Sequence, residues 1–261
     1  MTRLRGAAVL VTGASDGIGE ATALQFARKG ARLAICARRF DRLESVAQRC
    51  RAAGSPEVVV RVADVSRPVE ARAFVAAAAS VFDSIDVLIN NAGVGWRGRF
   101  QDMPEAELIA MLNTNVLGAM MTTQAALPVM LDANAGVIVN VASVVGFRAM
   151  PYSAAYSATK HALVGLSHAL RGELSGTGVK VCTVYPGTTN TDFFRPERPR
   201  GPIVHSPDWV ARAIVRTARW PRRDVVLMPY RAAALFEPVF GGLLDHVLGE
   251  TRRGQDPRLR D

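Results

Sequence analysis

The sequence predicts a single α/β domain, doubly wound, with a mainly parallel sheet of about seven strands and helices on both faces. Three observations carry that expectation. Seven short apolar runs alternate with six longer stretches of helical period along the 261 residues. The runs are continuously apolar, as strands covered on both faces are, and do not alternate polar with apolar. A glycine-rich turn follows the first run directly and opens the first helical stretch, which places a ligand-binding helix N-terminus at a strand end. No Pro/Gly/Ser-rich linker, low-complexity run or solenoid-period repeat divides the chain. At 28.0 kDa, 49% hydrophobic and a mean hydropathy of +0.13, it has ample apolar surface for one sizeable core.

The elements follow in order. Residues 7–12 form the first strand and lead into Gly13-Ala14-Ser15-Asp16-Gly17-Ile18-Gly19, which opens a helix over 17–29. The second strand, 32–37, precedes a helix over 41–53, where Asp41-x-x-Glu44 has the spacing of a capping box and gives Asp41 a structural role. A strand at 57–63 leads to a helix at 68–82, and a strand at 86–90 to one long helix at 105–131. Strands at 136–142, 179–185 and 224–228 alternate with helices at 154–175 and 207–219. Ligands are expected at the C-terminal ends of such strands. Asn90, at one of those ends, reads as a structural amide that ties neighbouring loops together.

Composition excludes several function classes. The net charge of +9 comes from 32 basic residues, of which only Lys29, Lys160 and Lys180 are lysines. GC-rich coding produces that arginine bias on its own. No basic run interleaved with aromatics and no helix-turn-helix, RRM or zinc-finger pattern accompanies it, so nucleic acid is not an expected partner. Cys36, Cys50 and Cys182 are scattered without CxxC spacing; they read as buried free thiols of a reducing compartment, and no metal site is expected. His161 and His168, two turns apart, read as one packed or interface face. No leader-like h-region and no apolar run of membrane-spanning length is present, which predicts a cytoplasmic location.

Tyr156-Ser157-Ala158-Thr159-Lys160 carries the chemistry. Residues at i and i+4 lie on one face of a helix. A phenol with an ordinary pKa near 10 exchanges protons poorly at neutrality, and an ammonium one turn away favours the phenolate. The pair is therefore a candidate for general acid/base work.

With these residues on view, the chain resembles the short-chain dehydrogenase/reductases, in their compact branch of about 250 residues. Thr12-Gly13-x-x-x-Gly17-Ile18-Gly19 is similar to the family's cofactor loop, and Asp64-Val65 to its adenine-contacting pair. Asn90-Asn91-Ala92-Gly93, Asn115 within Asn113-Thr114-Asn115-Val116-Leu117-Gly118, and Pro186-Gly187-x-x-x-Thr191 match further motifs in the same order. Ser143, Tyr156 and Lys160 match the catalytic residues. The resemblance implies a single Rossmann-type domain over 1–261 and a hydride-transferring oxidoreductase acting between a carbonyl and a secondary alcohol. Tyr156 would be general acid in reduction and base in oxidation, and Lys160 would lower the Tyr156 pKa and hold the nicotinamide ribose. Ser143 would hold the substrate oxygen, and Asn115 would anchor a water linking Lys160 to solvent. Cofactor-binding positions are Gly13, Ser15, Gly17, Ile18, Gly19, Arg38, Arg39, Asp64, Val65, Asn91, Ala92, Gly93, Tyr156, Lys160, Pro186, Gly187, Thr189 and Thr191. The alternative is a catalytically silent dinucleotide-binding regulatory protein.

Charge argues for NADP(H) over NAD(H). The second strand ends Cys36-Ala37-Arg38-Arg39, with Ala37 where NAD-preferring relatives place Asp and with Arg38 able to grip a 2′-phosphate. Asp16 departs from the basic glycine-loop residue of many NADP-using relatives. Val94, Trp96, Val145, Phe147, Met150, Tyr152, Phe193 and Phe194 either form an apolar cleft for a lipophilic small molecule or simply close the core, and 188–206 is the expected substrate loop. Arg97, Arg99, Arg148 and Arg195 would meet an acidic group or water. The C-terminal region 230–261 combines an apolar segment with a basic tail. It reads, in falling order, as a lid, an oligomer contact or a peripheral membrane contact. Apolar residues on the 105–131 and 154–175 helices predict a homodimer or homotetramer.

Overall fold

A computed structural model describes residues 1–194, 204–227, 242, 245–251 and 253–254. Seven strands, β1 (Ala8–Thr12), β2 (Arg32–Ala37), β3 (Val58–Val62), β4 (Val87–Asn90), β5 (Gly136–Val141), β6 (Val179–Tyr185) and β7 (Asp224–Val226), form one sheet in the order β3-β2-β1-β4-β5-β6-β7. All its strand pairs are parallel. The order reverses between β1 and β4, so the loops leaving these strands diverge and open a crevice at their C-terminal ends.

Helices α1 (Gly17–Ala27), α2 (Phe40–Ala52) and α7 (Pro207–Arg219) cover one face. Their contact with Val9, Val11, Leu33, Ile35, Val139 and Val184 makes one apolar core. Helices α3 (Pro68–Phe82), α5 (Gly118–Asp132) and α6 (Ala154–Glu173) make the second, over Leu10, Ala34, Leu88, Ile138 and Val181 on the opposite side of the same strands. Burial on both faces is why β1, β4 and β5 read as unbroken apolar runs. Polar Asn90 sits within the second layer with its amide fully engaged. It donates to Thr123 Oγ1 and Asn140 Oδ1, both at 2.8 Å, and accepts from Thr122 Oγ1 at 2.7 Å, tying β4 to β5 and α5 as a structural amide would.

Two local readings are corrected. The helix expected over 105–131 is continuous but not regular: α4 (Glu105–Met111) passes through a π-turn at Leu112–Leu117 into α5. The extra residue in the π-turn accompanies the inward commitment of Asn115, whose side chain bonds other elements. The capping box expected at Asp41 is absent as well. Helix α2 starts at Phe40 with Arg39 as N-cap and no side-chain cap bond, leaving Asp41 in the first turn at the positive end of the helix dipole.

The three cysteines are free and buried, and burial pushes Cys36 and Cys50 up to about 12 and Cys182 to about 11. Among the described residues no cluster of His, Cys, Asp or Glu could hold a metal ion, and no helix is long and apolar enough to cross a membrane. The 195–203 part of the proposed substrate loop, Arg195 included, lies outside the described residues. So do Met228 and most of 230–261.

Candidate active site

A cleft of about 630 Å³ opens at the C-terminal ends of β1, β2, β4, β5 and β6. Its floor begins at the glycine turn. Gly13 has φ +65°, and a Cβ there would lie 2.8 Å from Ala92 Cα, so only glycine lets the turn reach the loop after β4. Gly19 faces inward: a Cβ on it would stand 2.2 Å from the Gly13 carbonyl oxygen. It shapes the loop from behind and, alone among the glycine-loop positions expected to bind cofactor, does not line the cleft. Thr12 joins the two loops by donating from Oγ1 to the Ile89 carbonyl and accepting the Asn91 and Ala92 N–H groups at 3.0 Å. Asn91 returns the link, with Nδ2 donating to the carbonyls of Thr12 (3.0 Å) and Gly13 (3.3 Å).

Asp16 is the N-cap of α1 yet makes no side-chain cap bond. Its carboxylate turns outward to Arg42 at 2.9 Å and Arg39 at 3.3 Å, while Arg39 also donates to Ser15 Oγ at 3.2 Å. The first N–H groups of α1 therefore receive no cap from Asp16 beside Gly17 and Ile18, which line the cleft. Uncapped helix N–H groups and a positive dipole end fit a pyrophosphate. Arg38 lies exposed at the cleft edge, next to Ala37. These features fit a dinucleotide, and Arg42, which the sequence reading passed over, belongs to the same charged group.

Further along the cleft lie Asp64, Val65, Ala92, Gly93, Pro186, Gly187, Thr189 and Thr191. Asp64 Oδ1 accepts the Ser66 N–H at 3.0 Å, and its own N–H donates to Glu70 at 2.8 Å, which holds the loop after β3. The Val144 N–H donates to the Pro186 carbonyl at 3.0 Å, joining the loop after β5 to that after β6.

At the inner end Ser143, Tyr156 and Lys160 converge. Ser143 caps a 3-10 turn, accepting the Val145 N–H at 3.3 Å, and its side chain lies close enough to the Tyr156 phenol to draw that proton affinity down. A Cβ on Gly146 would lie 2.9 Å from the Lys160 carbonyl, so glycine there lets this turn rest against α6. Tyr156 is 8% exposed and Lys160 3%. Phe193 and Phe194 pack on Tyr156, each with ring centroids 5.5 Å away, and the Arg97 guanidinium stacks over Phe194 at 4.3 Å. Lys160 Nζ donates to the Val141 carbonyl at 3.0 Å and stands 5.7 Å from the Tyr156 ring centre.

Here the electrostatics differ from the sequence expectation. Burial pushes the Tyr156 phenol well above its ordinary value, against the lowering effects of the Ser143 side chain and the Arg97 charge. Burial also brings Lys160 down to about 8. Desolvation outweighs the mutual effect of the two groups because both sit in the protein interior and the ammonium is turned to a backbone carbonyl.

Asn115, 1% exposed, does not line the cleft. Its Oδ1 accepts the Val94 N–H at 2.8 Å, and Nδ2 donates to the Val94 carbonyl at 2.9 Å and to Thr159 Oγ1 at 3.0 Å. Both amide hydrogens are thus committed to protein partners.

Comparison with known proteins places this geometry in context. The family model described as short chain dehydrogenase matches residues 7–201. The chain is 35% identical over 231 residues to the ketoacyl reductase HetN of Nostoc sp., covering 87% of this chain and 80% of that protein. An alcohol dehydrogenase from the archaeon Thermococcus sibiricus, solved in complex with 5-hydroxy-NADP, superposes with a TM-score of 0.77 at 32% identity, covering 85% of this chain and 95% of that one. A short-chain dehydrogenase/reductase from Burkholderia phymatum, solved with NAD, gives 0.84 at 26% identity, covering 94% and 97%.

Proposed function

The chain belongs to the short-chain dehydrogenase family of oxidoreductases, and from that premise we propose that it is an NADP(H)-dependent enzyme interconverting a lipophilic carbonyl compound and its secondary alcohol. The observation that carries the proposal is the convergence of Ser143, Tyr156 and Lys160 at the end of a cleft whose other end is an uncapped helix N-terminus. A nicotinamide bound in the cleft would supply the hydride in reduction and receive it in oxidation. The protein's part is binding, orientation and proton transfer. Tyr156 Oη gives its proton to the carbonyl oxygen in reduction and takes it back in oxidation; burial keeps the phenol protonated at neutral pH, the form reduction requires. Ser143 Oγ, beside that phenol, holds the substrate oxygen and stabilises the charge growing on it. Lys160 places a cation beside the ring, and Val94, Val145, Met150, Phe193 and Phe194 exclude water and favour an apolar substrate.

NADP(H) is favoured by Ala37, Arg38 and Arg39 at the end of β2. Asp16, which argued against a phosphate, is neutralised by Arg39 and Arg42. The test is turnover by purified protein with NADPH and NADH against ketones, aldehydes, steroids, retinoids and secondary alcohols. Reduction of an apolar carbonyl with NADPH in preference to NADH is expected. Nucleotide binding with no turnover of any of these would replace the enzyme with the silent regulatory reading.

Assembly as a homodimer or homotetramer is part of the proposal, on fewer residues than the helical pattern suggested. Met111, Ala119, Ala126 and Leu163 are buried within the chain, whereas Ile109 is 47% and Leu112 46% exposed. Ala158, Ala162 and Ala169 are exposed on α6. A mass of 28.0 kDa by light scattering would refute it.

A further inference from the structure

Thr159 lies inside the Tyr-x-x-x-Lys segment and is 1% exposed, so its hydroxyl must find its partners within the protein. It has two. Oγ1 donates to the Tyr156 carbonyl at 2.8 Å and accepts from Asn115 Nδ2 at 3.0 Å. A hydroxyl has one hydrogen, so the donation to Tyr156 sets the direction of the pair and leaves the oxygen as the acceptor for Asn115. Asn115 in turn grips Val94 by both its N–H and its carbonyl. A chain of hydrogen bonds thus runs from the backbone of Tyr156 through Thr159 and Asn115 to Val94. It ends one residue beyond Gly93, where a Cβ would stand 3.2 Å from Asn115 Oδ1 and 3.7 Å from Lys160 Nζ.

We propose that Thr159 is a positioning residue: its hydroxyl ties the Asn115 amide, already paired with Val94, to the Tyr156–Lys160 turn of α6 and so locks that turn to the loop after β4. Two features support this over simple space-filling. Val94 leaves the second Nδ2 hydrogen of Asn115 free, and a hydroxyl whose own hydrogen is committed to Tyr156 is an acceptor of the right kind for it. The π-turn that carries Asn115 lacks regular α-helical geometry, so its side-chain bonds help define where it sits. Serine would preserve both bonds, and valine would preserve the shape while removing them.

The inference rests on the oxidoreductase reading for its kinetic consequence, and the experiment separates the two. Thr159→Val, Thr159→Ala and Thr159→Ser are compared with the parent protein by amide hydrogen exchange and by turnover. Loss of the hydroxyl should speed exchange of the Val94 amide about tenfold, with Thr159→Ser within about twofold of the parent. Turnover should fall about tenfold in the valine and alanine variants with KM for both substrates within about twofold, and return in the serine variant. Thr159→Ala leaves no oversized group, so it carries the test if the valine variant fails to fold. Unchanged Val94 exchange in a folded variant lacking the hydroxyl overturns the proposal, as does a serine variant as impaired as valine. If the parent turns over nothing, the oxidoreductase reading fails, and the exchange comparison still decides the role of Thr159.

Discussion

The two ends of the cleft hold charged groups under opposite conditions. At the outer end Asp16, Arg39 and Arg42 pair with side chains 35%, 51% and 47% exposed. Water screens them, and each contact is worth little by itself. At the inner end Tyr156 and Lys160 are almost wholly enclosed, and burial moves one proton affinity up and the other down. Under the proposed function the same types of charge would serve different ends: adaptable recognition of an anion where water remains, and control of a proton where it is removed.

The comparison can be broken most directly at the inner end. Tyr156→Phe keeps the ring against Phe193 and Phe194 and removes the transferable proton. Turnover should fall by roughly two to four orders of magnitude with NADPH binding largely kept, as single-turnover kinetics and a binding titration would show. Near-parental turnover would separate Tyr156 from the chemistry.

Lys160 provides a test of burial without substrate. Its folded pKa of about 8 lies below the ordinary 10.5, so between these values the folded chain binds fewer protons than the unfolded one. Stability from this position therefore rises with pH from 8 towards 10.5, and below pH 8 the burial penalty is fully present. Denaturant unfolding at pH 8 and pH 10 should differ by on the order of 2–3 kcal/mol more in the parent than in Lys160→Met. The comparison stops at pH 10 because Tyr156, whose folded pKa is raised, contributes stability that is lost as pH climbs beyond its ordinary 10. Equal pH dependence in the two proteins would mean that Lys160 reaches water.

At the outer end the effects should be smaller and selective. Arg38→Ala should weaken NADPH by about 10- to 150-fold, the equivalent of a charge-assisted contact worth roughly 1.5–3 kcal/mol, and leave NADH nearly unchanged. Equal losses would place Arg38 outside the phosphate site. Smallest of all, Asp16→Asn should free Arg39 and Arg42 and tighten NADPH by up to about fivefold, the scale of a screened pair worth ~0.2–1 kcal/mol. Weaker NADPH binding in that variant would instead make the carboxylate an organiser of the arginines.

The sheet, its helices and the glycine turn were legible in the sequence because each rests on local pattern: continuous apolar runs, helical period, and glycines at φ +65° and +56° where other residues are strained. The π-turn within the 105–131 helix was not legible. Nothing local in Asn113-Thr114-Asn115 announces a π-turn, and the bonds that accompany it come from Val94 and Thr159, 21 and 44 residues away. Arg42 escaped notice for a similar reason, since only the folded chain brings it to Asp16.

By itself, then, the sequence determined the order of strands and helices, the residue types available at each strand end, and the Tyr–Lys spacing on one helix face. Tertiary structure decided what those groups can do. It turned Lys160 to the Val141 carbonyl, sealed Tyr156 beneath Phe193 and Phe194, and joined Tyr156 to Val94 through Thr159 and Asn115. The physical reason is that proton affinity and hydrogen-bond choice depend on burial and on partners far off in the chain, while secondary structure depends mainly on neighbours along it.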